Sequence, residues 1–141
     1  MVDVQQIFDM AMDLMDEADE TSGSTDTMDT KEYRIRTISI LNSGIQVIYP
    51  YSSNFSRTGA GRPVAGVLLQ ENRGAPDFTQ EIELDDALSL ALLPLYLASL
   101  LRAGEDAEFS ARMMNEFNRA FYDLRANMPG EFEQIIPAYG L

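Results

Sequence analysis

The stretch that decides the fold is DDALSLALLPLYLASLLRAGED, residues 85–106. Between Asp86 and Arg102 it carries no charged side chain, and its leucines recur on every side of a helix of about 3.6 residues per turn. A helix that is apolar nearly all round is buried on several sides, so this segment predicts the central helix of a helical domain. Pro94 removes one backbone donor and predicts a kink, and Gly104 marks the end of the helix.

Three further segments have apolar residues at the three- and four-residue spacing of a helix face. The sequence therefore predicts an all-α fold of about four helices in a bundle, with the last two joined as an antiparallel hairpin. Asp3 and Gln6 form a capping-box pattern at the start of the first helix. Residues 32–40 also alternate as a strand would, but the helical spacing covers the whole second window and is favoured. The predicted helices cover residues 3–20, 30–49, 85–103 and 106–127.

A long loop, residues 50–80, separates the second and third helices and is rich in Pro, Gly and Ser. A loop of this length inside a small domain is commonly a binding or assembly element. The apolar run Val64 to Leu69 suits a short strand, which would form one side of a β hairpin within the loop. The predicted organisation is a single helical domain, 1–141, made of the acidic helix 1–20, a flexible link 21–29, the four-helix core with this loop, and an apolar tail 129–141.

Composition excludes most enzyme mechanisms. The 141 residues include no Cys and no His, so disulfides, the usual zinc sites and thiol or imidazole catalysis are ruled out. The 23 acidic and 10 basic side chains give a net charge of -13, which disfavours direct binding to nucleic-acid phosphates or to anionic membranes. Neither a membrane-spanning run nor a secretory signal is evident, so we expect a chain that stays in the cytoplasm or is assembled from it.

One cluster of carboxylates, Glu81, Glu83, Asp85 and Asp86, has the residue types for acid–base chemistry or for a hard cation. A simpler explanation is that these residues begin a helix, where free N–H groups and the helix dipole favour negative charge. The glycines in 58–63 lack the third Gly and the Lys that phosphate-binding loops need. We therefore expect no catalytic residue, metal site, cofactor or small-molecule substrate.

Two sets of residues are candidates for binding a protein partner. Residues 31–80 carry six basic side chains against three acidic ones. Arg suits bidentate pairing with carboxylates, so these residues could bind an acidic partner. Scattered charges that offset the chain's own acids explain the same pattern. Apolar side chains of the loop and tail lack an evident helix face of their own, and exposed apolar patches mark interaction sites. The candidates are Arg57, Arg62, Val67, Leu68, Leu69, Arg73, Ile135, Ile136 and Tyr139.

Two segments, read together, resemble a family of small structural proteins encoded in tailed-phage and prophage gene clusters. They are EYRIRTISILNSGIQVIYPYS, residues 32–52, and EIELDDALSLALLPLYLASLLRAGEDAEFSARMMNEFNRAFYDL, residues 81–124, followed by MPGEFEQIIPAYG. In that family an acidic pair opens an apolar helix with a central Leu-Pro, an acidic turn follows, and the last helix leads to a Tyr-Gly tail. The matching residues here are Asp85-Asp86, Leu93-Pro94, Glu105-Asp106 and Tyr139-Gly140.

The helical layout is also similar to that of phage head–tail connector (adaptor) proteins, small subunits that form a ring below the portal. The resemblance implies a non-enzymatic virion assembly protein that contacts its own copies, the portal or a neighbouring connector protein. Its expected location is the virion, and the host cytoplasm during assembly. The alternative, drawn from the acidic composition, is a regulatory or inhibitory binding protein of phage origin whose carboxylates mimic nucleic acid.

Overall fold

The computed structural model describes residues 1–17, 30–52 and 64–126, which form four helices and a two-stranded antiparallel sheet. The all-α fold class predicted from the apolar spacing is confirmed, and residues 32–40 are helical. The link 21–29 and the tail 129–141 lie outside the described residues. The elements are β1 (Val2–Asp3), α1 (Val4–Met15), α2 (Lys31–Ile48), β2 (Glu81–Ile82), α3 (Asp86–Leu101) and α4 (Ala107–Ala126).

Helix α3 is the central helix, as its composition predicts, and it packs against each of the other three. Its leucines Leu92, Leu93 and Leu97 are fully buried. Helices α3 and α4 run antiparallel, because Ser99 Oγ donates to the Ser110 carbonyl at 2.8 Å whereas the earlier Tyr96 contacts the later Phe117, with ring centroids 5.2 Å apart. None of the described helices is both long enough and apolar enough to cross a membrane.

Two helix starts have side-chain caps, and the cap of α1 is the capping box that the sequence predicts. The Asp3 carboxylate accepts the Gln6 N–H at 2.8 Å, and the Gln6 side chain accepts the Asp3 N–H at 3.0 Å, so the capping box is complete. At the start of α4, Asp106 Oδ1 accepts the Phe109 N–H at 3.1 Å. These local bonds satisfy N–H groups that a helix start leaves without an internal partner.

The first turn of α1 is also tied to the end of the long loop. The N–H groups of Val4 and Gln5 donate to the carbonyls of Gln80 and Phe78, both at 3.0 Å. The pairing of β1 with β2 continues this contact in antiparallel register, with Val2 opposite Ile82. The start of the chain is therefore held by the segment that leads into α3.

The described part of the loop, residues 64–80, contains no strand, so the hairpin predicted for Val64 to Leu69 is wrong within it. Val64–Gly66 form one 3₁₀ turn. The Asn42 side chain then takes the place of a partner strand: its Nδ2 donates to the Leu69 carbonyl at 3.0 Å, and its Oδ1 accepts the Leu69 N–H at 2.8 Å. A buried side-chain amide thus pairs the backbone groups that a ladder would have paired.

The next residue of the loop is held in the same way. The Gln80 side chain accepts the Gln70 N–H at 2.7 Å and donates to the Gln70 carbonyl at 2.9 Å. Two amide side chains, one from α2 and one from the loop itself, therefore hold consecutive loop residues.

Replacing Asn42 with Ala should destabilise the fold by about 1–3 kcal/mol, because it leaves the N–H and C=O of Leu69 without their partners. The measurements are urea unfolding and hydrogen exchange. In the variant, the exchange rate of the Leu69 amide should rise more than the exchange rates of the α3 amides. Asn72→Ala is the control, because Asn72 is exposed in the same loop. Equal loss of stability in the two variants would contradict this role for Asn42.

Gly44 lies in the interior of α2, where glycine costs about 1 kcal/mol relative to alanine. A Cβ at this position would lie 3.0 Å from Tyr96 Cδ2 and 3.2 Å from Leu93 Cδ2. The absence of a side chain therefore allows α2 to approach α3 closely.

Gly44→Leu should lower the free energy of unfolding by about 1–3 kcal/mol, because the added side chain forces Tyr96 or Leu93 to move. The matched control is Gly104→Leu, since a Cβ at Gly104 meets nothing within 4 Å. Chemical denaturation of the two variants measures the difference, and a Gly44→Leu variant as stable as its control would refute the close-packing explanation.

Candidate functional site

The partner-binding residues predicted in the loop divide between the core and the surface. Val67 and Leu69 are buried in the hydrophobic core of this chain, and Leu68 is half-buried against it. Val67 and Leu69 lie outside the helices, but both pack inside this chain, so the exposed apolar patch expected for the loop does not include them. Arg73 is exposed. The remaining candidates, Arg57, Arg62, Ile135, Ile136 and Tyr139, lie outside the described residues.

Two arginines of the basic middle region contact their own chain. The Arg34 guanidinium carbon lies 4.2 Å from the Phe78 ring centroid and 5.2 Å from that of Phe8. Arg36 Nη2 donates to the Leu100 carbonyl at 3.2 Å, at the C-terminal end of α3 where a cation is favoured. These contacts are intramolecular, so the two side chains stabilise the fold.

Arg102 joins the C-terminal ends of α1 and α3, and the neighbouring Glu105 contacts α2. Its Nη2 donates to the Met15 carbonyl, the last residue of α1, at 3.0 Å, and it also forms an ion pair with Glu17. Glu105, in the turn after α3, accepts a hydrogen bond from the Tyr33 hydroxyl at 2.6 Å. Burial and this hydrogen bond raise the pKa of Tyr33 from 10.0 to about 12.

Two carboxylates of the 81–86 cluster, Asp85 and Asp86, lie where α3 begins, as the helix-start explanation expects for them. Glu81 belongs to β2, so this explanation does not cover it. The Asp85 N–H donates to Ser52 Oγ at 3.0 Å. Within residues 1–17, 30–52 and 64–126, no three acidic side chains come close enough together to hold a metal ion.

A shallow hollow on α4 carries mixed charge. Its described lining residues all belong to that helix, and Glu108, Arg112, Glu116 and Arg119 alternate in sign along it. Opposite charges at four-residue spacing are typical of a solvated helix face, so this surface has no feature of a site.

An apolar groove lies between α1 and α3 and has a volume of about 480 Å³. The side chains at its edges are unusually exposed for their type: Met10 is 39%, Leu14 is 41% and Leu90 is 39% accessible. Contiguous exposed apolar surface of this kind marks an interaction site. The lining residues are Met10, Asp13 and Leu14 from α1, and Leu90, Ala91, Pro94 and Leu95 from α3.

The polar groups that the groove presents are hydrogen-bond acceptors. Of its described lining residues only Asp13 has a polar side chain, and that carboxylate is exposed. Pro94 has no N–H, so the Leu90 carbonyl lacks the donor that residue i+4 of a helix normally supplies. Leu90 and Pro94 both line the groove. The groove therefore suits apolar groups accompanied by donors.

Sequence reasoning did not identify this groove. Methionines at helical spacing fill cores more often than they form sites, so the pattern that contains Met10 indicates packing. The available signal was the excess of apolar faces: Met10 and Leu14 extend α1 beyond one buried stripe, and Leu90 lies on a second face of α3. No protein-family model, curated protein or solved structure matches the chain.

Stability should fall as the pH rises from about 10 to about 12, because in that window the unfolded Tyr33 releases its proton while the folded one keeps it. Tyr33→Phe should remove this part of the fall. Urea unfolding at several alkaline pH values measures it, with Tyr122→Phe as the control because Tyr122 is 64% exposed. If the free energy of unfolding falls equally steeply with pH in the two variants, folding does not raise the pKa of Tyr33.

Proposed function

We propose that the chain is a non-enzymatic virion assembly protein of a tailed phage or prophage, a head–tail connector subunit that acts through protein–protein contacts. The observation that carries the proposal is the apolar groove between α1 and α3, which this chain's described residues leave exposed beside acidic side chains. An uncovered apolar surface on a strongly charged protein is stabilised when a partner covers it.

The order of the sequence motifs supports the phage assignment. The acidic pair opens α3, the Leu-Pro lies within it, and the Glu105-Asp106 pair forms the turn before α4. A fold of four helices is also the kind of subunit that the resemblance implies. In a ring, each copy needs two different surfaces for its neighbouring copies. The groove would be a further surface, which contacts the portal or a neighbouring connector protein.

The alternative, an acidic nucleic-acid mimic, needs a continuous face of carboxylates. The two surfaces described above differ from that: the α4 face alternates in charge, and the groove face is interrupted by Met10, Leu14 and Leu90. The apolar groove favours a protein partner that contributes apolar side chains over a protein that recognises phosphate spacing.

If the proposal is right, the chain should copurify with density-banded particles from the phage or induced prophage that encodes it, and should crosslink to the portal or to a neighbouring connector protein. Deleting residues 130–141, which include the predicted contacts Ile135, Ile136 and Tyr139, should abolish incorporation and leave the helical circular dichroism nearly unchanged. Adjacent portal, capsid and tail genes would support the same class. A chain absent from particles and found bound to a nucleic-acid-binding protein would favour the mimic instead.

A further inference from the structure

We propose that the groove between α1 and α3 binds a short basic amphipathic helix of a partner protein. This helix inserts two or three apolar side chains and places Lys or Arg against Asp13 at the edge of the groove. The proposal rests on the assembly function in one respect: that function says that the partner is another virion protein. The kind of ligand follows from the residues of the groove alone.

The size of the groove sets the number of anchors. Its lining residues span about one turn of α1, from Met10 to Leu14, and about one and a half turns of α3, from Leu90 to Leu95. A volume of about 480 Å³ accommodates a few aliphatic side chains rather than a long segment. Apolar side chains at three- and four-residue spacing on a helix fit such a groove between two helices.

The charge around the groove selects a basic partner. Residues 1–17 carry five acidic side chains and residues 81–101 carry four, and neither segment carries a basic one. Arg102, directly after α3, forms an ion pair with Glu17 and donates to the Met15 carbonyl at the C-terminal end of α1. Asp13 is the acidic residue that lines the groove, and its exposed carboxylate is the group that a partner's Lys or Arg would complement.

The same charge argues against a second copy of this chain as the occupant. Each copy has a net charge of -13, and the groove helices of both copies would bring acidic side chains together. The tail 129–141 is an equally poor match in charge, since it contains Glu131 and Glu133 and no basic residue. The Asp13 carboxylate of the lining accepts hydrogen bonds, so it also favours a ligand with donors.

The test uses the full chain and three synthetic helical peptides of equal length. One has Leu anchors at three- and four-residue spacing with Lys and Arg flanks, one has the same anchors with Glu flanks, and one has the basic composition with the anchors dispersed. Binding is measured by fluorescence anisotropy, and the site by amide chemical shifts. The basic anchored peptide should bind at least about tenfold more tightly than either other peptide, and its affinity should fall at high salt.

Matched variants locate the site. Leu90→Glu should weaken the basic anchored peptide by about tenfold or more, because it places a charge at the apolar contact. Val47→Glu is the control, since Val47 is 46% exposed on α2, outside the groove. Asp13→Asn should reduce the salt dependence of binding, whereas Glu71→Gln, an exposed loop change, should not. Equal effects of Leu90→Glu and Val47→Glu would overturn the proposal.

Other occupants give distinct results, each of which overturns the proposal. Self-association of the wild-type chain in analytical ultracentrifugation that Leu90→Glu abolishes would make a second copy the occupant. Peptide binding that appears only after deletion of 130–141 would make the tail the occupant.

The groove inference and the assembly function can fail separately. If the peptide does not bind and Leu90→Glu still enters particles normally, the groove inference fails and the assembly function stands. If the peptide binds and the chain is absent from particles, the assembly function fails and the groove stands.

Discussion

The fold depends on one constraint: α3 has no charged side chain from Ala87 to Leu101, so nearly its whole circumference must be kept from water. The other helices supply the cover, and α3 packs against each of them. The outer edge of α1, Met10 and Leu14, borders Leu90 without covering it. The exposed groove is thus the part of this all-round apolar helix that the described helices leave uncovered.

The long loop shows how a segment without regular structure can contribute to a core. Val67 and Leu69 are buried, yet burial of an irregular backbone costs free energy unless its N–H and C=O groups are paired. The Asn42 amide supplies both partners for Leu69, and farther along the chain Phe78 packs on Phe8 beneath the Arg34 guanidinium. These contacts explain why a run rich in Pro and Gly adds to the stability of the helices.

The helices could be predicted from the sequence because their signals are local. Apolar spacing and the Asp3–Gln6 capping box both act within one or two turns, and the structure contains both of them. The hairpin prediction failed because an apolar run such as Val64 to Leu69 does not reveal that Asn42, 27 residues away in the chain, will pair with its backbone. The groove was missed for a related reason: exposure of Leu90 depends on how α1 packs against α3, and the periodicity of each helix carries no information on that.

Three arginines of the described residues bind their own chain. Arg36 and Arg102 bind the C-terminal carbonyls of α3 and α1, and Arg34 stacks on two aromatic rings. Cations at these positions stabilise helix ends and aromatic contacts. These side chains therefore hold the fold together, and none of them is among the described residues that line the groove. Under our proposal, the exposed Asp13 carboxylate and the net charge of -13 then favour a basic partner over a second copy as the cover for α3.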